Sequence, residues 1–179
     1  GDWSSDVCSS DLRTNVRGEN WIVMEYMAGD SLQQRLDSMR GPMPLEESLR
    51  WLAGLGSAVD YLHQHGIVHR DLKPGNVFSE DDQIKVGDYG LSKFISTSRR
   101  SGQTQSIGTV HYMAPEISTG NYGKSVDVYA SAVIAFEMLS GQLPFDGETT
   151  AEILMKHLTA EPRSEEHTSE LQSPDHLVC

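Results

Sequence analysis

Asp71, Lys73 and Asn76 fall within six residues of one another in the run HRDLKPGN (69–76), and Asp88 follows in VGDYG (86–90). A carboxylate, an ammonium and an amide so spaced can take a proton, steady a phosphate and hold a metal. Hard divalent cations prefer oxygen ligands, and Mg²⁺ shared with a nucleotide takes one or two carboxylates. Asn76 and Asp88 could supply such oxygens. Asp71 could then orient a hydroxyl and accept its proton. Lys73 could offset charge on a moving phosphoryl group. The plainer reading is a solvated turn, because a lone Asp-x-x-x-x-Asn is a weak signal.

The surrounding elements must position these groups. NWIVMEYM (20–27) is a short apolar run of strand formers ended by the turn signal AGD. SLQQRLDSM (31–39) predicts a short helix capped by Asp30 or Ser31 and closed by Gly41-Pro42. In LEESLRWLAGLGSAVDYLHQHG (45–66), Leu45, Leu49, Leu52, Leu55, Val59 and Leu62 recur at three- and four-residue steps, which predicts an amphipathic helix with that stripe inward. Pro44 suits its first turn and Gly66 its end. His63 and His65 read as helix-surface residues, and no second ligand cluster argues for zinc. IVHRDLKPGNVF (67–78) sets a polar loop between two apolar pieces, and QIKVGDYGLSKF (83–94) is a strand followed by a Gly turn. STSRRSGQTQS (96–106) lacks a period and is expected to be a mobile surface loop. GKSVDVYASAVIAFEMLSG (123–141) predicts a buried helix, and TTAEILMKHLTAEP (149–162) one more amphipathic helix.

A chain of 179 residues suits one domain. The net charge of −12 argues against non-specific binding to nucleic acid or anionic membranes. No apolar run approaches the roughly 20 residues needed to cross a bilayer, and the polar start lacks a secretory signal. Two cysteines, Cys8 and Cys179, do not make a disulfide framework, so a reducing cytoplasm is the expected compartment.

The two ends read differently from the middle. GDWSSDVCSSDL (1–12) and RSEEHTSELQSPDHLVC (163–179) are polar and aperiodic. Permitted codons for Asp2–Leu12 and for Arg163–Ser173 are reverse complements of each other over most of their length, and both resemble a common sequencing adapter. Residues 1–12 and 163–179 are therefore expected to be disordered, adapter-derived additions, and residues 13–162 the domain. Each end carries three net negative charges, so the middle carries −6 of the −12, and no cysteine.

HRDLKPGN resembles the catalytic loop of protein kinases, H-R-D-L-x-x-x-N. DYG (88–90) resembles their D-F-G element, and APE (114–116) is the family tripeptide. Lys73 after Asp71 is similar to the serine/threonine branch. GTVHYMAPE (108–116) and DVYASAVIAFEMLSGQLPF (127–145) resemble the bacterial eukaryotic-like serine/threonine kinases. The resemblance covers about Arg13 to Pro162. It implies an α+β, protein-kinase-like fold, partial, with the hinge strand and most of the helical C-lobe present and the N-lobe largely missing.

It also implies roles. Asp71 is then the catalytic base, Lys73 the phosphate-contacting lysine, and Asn76 and Asp88 the Mg²⁺ ligands beside ATP. Arg70 faces a phosphorylated activation loop, with Thr104 and Ser106 as candidate phosphosites and Ser101 next. Thr109 contacts the catalytic loop. Met24 guards the rear of the adenine pocket, though Met also serves as ordinary core filler. Backbone groups of Glu25 and Met27 hold the adenine edge over Phe78. Asp127 anchors the catalytic loop, and Glu116 awaits an arginine that lies beyond the matched region. Arg99 and Arg100 read as a solvated pair.

The implied partners are ATP and proteins with Ser or Thr acceptors. Tyr89 replaces the family Phe, and its hydroxyl needs a partner when buried. The 179 residues hold no G-x-G-x-x-G loop and no V-A-I-K lysine, so this chain alone is expected to be inactive. A kinase-shaped binding module and a small-molecule phosphotransferase are the alternatives.

Overall fold

A computed structural model of the chain describes residues 10–14, 17, 20–24, 26–89, 110–119 and 123–162. Strands β1 (Ser10–Thr14) and β2 (Asn20–Met24) pair antiparallel, with Ser10 opposite Met24. β1 starts inside the head expected to be disordered. Main-chain groups suffice for this pairing, because the edge of β2 offers N–H and C=O groups to any extended segment.

A second sheet carries the loop of interest. β3 (Asp30–Ser31), β4 (Val77–Glu80) and β5 (Gln83–Val86) form an antiparallel sheet in that order. β4 and β5 are joined by Asp81-Asp82, both with positive φ (50° and 62°). That is the backbone a two-residue type I′ hairpin requires. Arg50 on the neighbouring helix reaches this turn, Nη1 to Asp82 Oδ1 at 2.8 Å.

Among the described residues there are four α-helices, of which the first two pack on this sheet. α1 (Leu32–Asp37) starts in a capping box: Ser31 Oγ accepts from the Gln34 N–H, and Gln34 Oε1 accepts from the Ser31 N–H at 2.8 Å. This settles the cap on Ser31 rather than Asp30. α2 (Leu45–Gln64) begins after Pro44, and α3 (Ser125–Ser140) and α4 (Thr150–Thr159) follow. The Thr149 hydroxyl caps α4 by accepting from the Glu152 N–H.

The inward face of α2 is the expected one at Leu55, Val59 and Leu62 but not in its first two turns. Ser48, Trp51, Leu55, Ala58, Val59 and Leu62 are buried, whereas Leu45 and Leu49 are 63% and 57% exposed. Both stripes fit a 3.6-residue period. Burying Trp51 turns the first two turns of the helix so that Leu45 and Leu49 face out, because an indole removes more apolar area than a leucine. α2 lies hard against β5: a Cβ on Gly54 would stand 2.4 Å from Ile84 Cβ.

α3 buries Val126, Asp127, Ala130, Val133, Ile134 and Met138, yet Val128 is exposed, so the helix is covered on one side rather than all round. The core joins Leu32, Met43, Trp51, Leu55, Ala58, Leu72, Val77, Ile84, Val86, Ile134 and Met138 into one cluster. The catalytic-type loop leaves α2 and enters β4 across this cluster, with Leu72 and Val77 as its apolar footings.

Candidate active site

The site is a loop held from below by one helix residue. Asp127, 1% exposed on α3, accepts from the backbone N–H of His69 at 2.8 Å through Oδ2 and from that of Arg70 at 2.8 Å through Oδ1. His63 Nε2 donates to the same Oδ2 at 2.7 Å. His63 is therefore no helix-surface residue; its side chain is only 10% exposed. The reversal of the chain after Gly66 brings the end of α2 back beside α3. His65 does remain exposed, with Nδ1 on the Tyr61 carbonyl.

Arg70 has φ 69°, a left-handed conformation that costs a non-glycine residue about 1 kcal/mol or more. The two bonds to Asp127 flank that residue and fix the conformation. The next link is His69, fully buried. The Asp71 N–H donates to His69 Nδ1 at 3.3 Å, so Nε2 carries the ring proton and donates to the Gly87 carbonyl at 2.8 Å. The Gly87 N–H in turn donates to the Asn76 carbonyl at 2.9 Å. The peptide preceding Asp88 is thus clamped to both ends of the loop. Asp88 itself is exposed with φ 60°, left-handed like Arg70 and the hairpin residues Asp81 and Asp82. Strain of this kind clusters where geometry serves function.

Asn76 is buried, and its Nδ2 donates to the Asp71 carbonyl at 2.9 Å. This leaves its amide oxygen as the pole available to a cation. Asp71 and Lys73 are both about 30% exposed in their side chains, with Nζ 3.4 Å from Asp71 Oδ2. Among the described residues no group of three or more His, Cys, Asp or Glu could hold a metal alone. The donor set for a cation here is one amide oxygen plus the Asp88 carboxylate, which suits Mg²⁺ completed by phosphate and water rather than an all-protein cage.

The segment with the APE tripeptide flanks the loop. A water-sized void of about 10 Å³ is lined by Arg70, Asp71, Leu72, Tyr112, Met113 and Ile117, so the two strips of chain face each other. Tyr112 is anchored below by Glu137 of α3, its hydroxyl donating to Oε2 at 2.6 Å. Burial raises the Glu137 carboxyl above its usual range, against the pull of that hydrogen bond, and burial beside Glu137 raises the Tyr112 phenol too. Glu116, expected to lack a partner, accepts from Ser125 Oγ at 3.2 Å.

Of the residues expected to frame an adenine, Phe78 lies in β4 opposite Ser31, its Cε2 3.2 Å from where a Cβ on Gly87 would sit. Its ring therefore borders the peptide that precedes Asp88. Met27 is half-buried, and the next residue, Ala28, donates its N–H to Glu80 Oε1 at 3.0 Å, pinning this segment to β4. Met24 ends β2. Glu25, Thr104, Ser106 and Thr109, with Arg99, Arg100 and Ser101, lie outside the described residues.

The loop thus carries a carboxylate and an ammonium side by side at Asp71 and Lys73, with Asn76 buried behind them, on backbone fixed by Asp127, His69 and Gly87. Comparison with known proteins places the chain. The protein kinase domain family matches residues 8–177. The chain is 39% identical over 141 residues to the probable serine/threonine-protein kinase PknB of Lactococcus lactis, covering 78% of this chain and 22% of that protein. It is 38% identical over 146 residues to the serine/threonine-protein kinase PrkC of Bacillus subtilis, covering 80% and 22%. It is 34% identical over 145 residues to the serine/threonine-protein kinase PknB of Mycobacterium leprae, covering 79% and 23%. The chain belongs to the protein kinase family, and its relatives are bacterial serine/threonine kinases. It spans about a fifth of the length of the curated relatives it matches.

Sequence reasoning missed His63, His69 and Gly87. His69 and Gly87 stand inside the quoted motifs, but the atoms that meet the His69 ring, the Gly87 carbonyl and the Asp71 N–H, are main-chain groups that carry no residue-type signal.

Proposed function

We propose that residues 13–162 are part of a protein kinase unit whose complete gene product transfers the γ-phosphoryl group of ATP to Ser or Thr hydroxyls of proteins. The observation that carries this reading is the bonded circuit Asp127–His69–Gly87–Asn76–Asp71. It aligns the carboxylate of Asp71 and the two oxygen donors from separate elements without using their functional atoms.

Asp71 accepts the proton of the acceptor hydroxyl as it attacks, and Lys73 beside it offsets charge on the transferring group. Asn76, through its amide oxygen, and Asp88 would hold Mg²⁺, which when bound would supply charge neutralisation for the nucleotide phosphates. Met24, Glu25, Met27 and Phe78 frame the adenine. Arg70 meets an activation-segment phosphate on Thr104 or Ser106, and Thr109 and Glu116 brace the docking segment. No described helix is long and apolar enough to cross a membrane.

The test is to express the full reading frame around residues 13–162 with Mg²⁺ and γ-labelled ATP. Label on Ser or Thr of a protein acceptor supports the reading. Label only on small hydroxylated acceptors would replace it with a small-molecule phosphotransferase. ATP binding with no transfer would replace it with a kinase-shaped binding module. Genomic codons unlike the adapter at residues 1–12 or 163–179 would overturn the domain limits.

A further inference from the structure

One face of the sheet β3–β4–β5 carries an ion pair that the phosphoryl-transfer reading leaves unused. Side chains two apart on a strand share a face, so Phe78 and Glu80 of β4 stand together. Lys85 of β5, opposite Phe78 in the register, stands with them. Glu80 Oε2 accepts from Lys85 Nζ at 2.9 Å, and Glu80 Oε1 accepts from the Ala28 N–H at 3.0 Å. Both side chains are mostly covered, Glu80 at 22% and Lys85 at 14% exposure. One carboxylate thus ties β5 and the segment before β3 to β4.

We propose that Glu80 is a positioning residue for the adenine of ATP, acting through the peptide between Met27 and Ala28. A peptide unit is planar and trans, so its N–H and C=O point in opposite directions. The bond from the Ala28 N–H to Glu80 therefore fixes the direction of the Met27 carbonyl. That carbonyl is among the main-chain groups expected to hold the adenine edge. Phe78, expected beneath the adenine, is two residues from Glu80 on the same strand. Glu80 thereby sets the Met27 carbonyl and the Phe78 ring relative to each other. The role rests on the proposed kinase reading, because adenine enters only through it.

The neighbouring main chain shows why a side chain is needed here. β3 pairs with β4 through Asp30 and Ser31, opposite Ser79 and Phe78. Gly29 lies directly on β4, where a Cβ would run into the Ser79 carbonyl. Ala28 is two residues ahead of that ladder, and the Glu80 side chain takes its N–H instead. Lys85 first, and then the Ala28 N–H, hold the Glu80 carboxyl below its usual range, so it is ionised at neutral pH. An ionised acceptor makes the stronger hydrogen bond. Its two oxygens serve both donors, whereas a glutamine amide would turn its own N–H groups toward one of them.

Removing the carboxylate frees the Met27–Ala28 peptide to turn, so the effect falls on nucleotide affinity. The transfer step is fixed elsewhere. The loop of Asp71 and Asn76 is held by Asp127, His69 and Gly87, on bonds that do not involve Glu80. A merely structural Glu80 would instead weaken folding and lower binding and transfer together. The split between affinity and transfer rate is therefore the deciding readout.

Two measurements test this. In the 179-residue chain, exchange of the Ala28 amide, followed by NMR relative to amides of α2, should accelerate about tenfold in Glu80→Ala. Unchanged exchange overturns the clamp. In the full reading frame, Glu80→Ala should raise the dissociation constant for MgATP about tenfold. The single-turnover transfer rate at saturating MgATP should stay within about twofold of the unmodified protein. Should Glu80→Ala not fold, Glu80→Gln decides, because it keeps one acceptor for Ala28; a rise of about threefold in the dissociation constant is expected. An unchanged dissociation constant in the folded variant, or a transfer rate that falls as much as the affinity, overturns the positioning role. Absence of MgATP binding by the unmodified full protein overturns the kinase reading and the role for adenine with it, while the exchange result still decides the clamp.

Discussion

Replacing Asp127 by alanine should detach the catalytic loop from α3, and the size of the effect can be built from its contacts. Asp127 accepts three hydrogen bonds at 2.7–2.8 Å while 1% exposed. Alanine leaves the N–H groups of His69 and Arg70 and the ring N–H of His63 without their acceptor. An unsatisfied buried donor costs about 1–3 kcal/mol. Water can enter beside Arg70, which is only partly buried, so a total of about 3–5 kcal/mol is expected rather than the full sum. The left-handed Arg70 adds to the effect, because the bonds that enforce it are the ones removed.

Denaturant unfolding followed by tryptophan emission would read the global part. Exchange of the His69 and Arg70 amides would read the local part, accelerated by about 10²-fold or more for 3 kcal/mol. His63→Ala should cost less, about 1–3 kcal/mol, and the two changes should be strongly non-additive because they share one bond. A loss under 1 kcal/mol for Asp127→Ala, with unchanged exchange at His69 and Arg70, would refute the reasoning.

Three other outcomes follow from the same contacts. Tyr112→Phe removes the only hydrogen bond described to the Glu137 carboxylate and should cost about 1–3 kcal/mol. Glu137 has its folded-state proton affinity raised, so its burial is tolerated best when protonated. Its contribution to stability is present below about pH 4.5 and declines as pH rises through its elevated value, and the Tyr112→Phe loss should grow over that range in pH-dependent melts. Gly54→Ala drives a Cβ into Ile84 across the α2–β5 contact and should lower stability by about 1–3 kcal/mol in urea titrations. Arg50→Ala breaks an exposed pair with Asp82 and should change stability by less than about 1 kcal/mol in the same assay.

Much of this was legible in the sequence, for identifiable reasons. The helices α2, α3 and α4 announce themselves by period and length, and Ser31 with Gln34 three residues on is a capping box. The chemistry-bearing residues stand in short local runs, so their identity could be read directly. Three things were not legible. The inward stripe of α2 departs from the expected one in its first two turns because either Leu45 and Leu49 or Ser48 and Trp51 fit the same period there, and only packing chooses Trp51. His63 looked like a surface residue because its partner, Asp127, is 64 positions away. The clamp on Gly87 runs through carbonyl and amide groups that every residue owns. Local pattern finds the candidate reacting groups, whereas the side chains that hold their loop, Asp127, His63 and His69, find their partners over long separations or on main-chain atoms.

The claim that Asp71 is the group that takes the acceptor's proton is tested most directly in the full reading frame, by single-turnover phosphoryl transfer with saturating MgATP. Asp71→Asn should slow the transfer step by about 10²–10⁴-fold while leaving the dissociation constant for MgATP within a few-fold of the unmodified protein. A transfer rate within a few-fold of the unmodified protein would contradict the account.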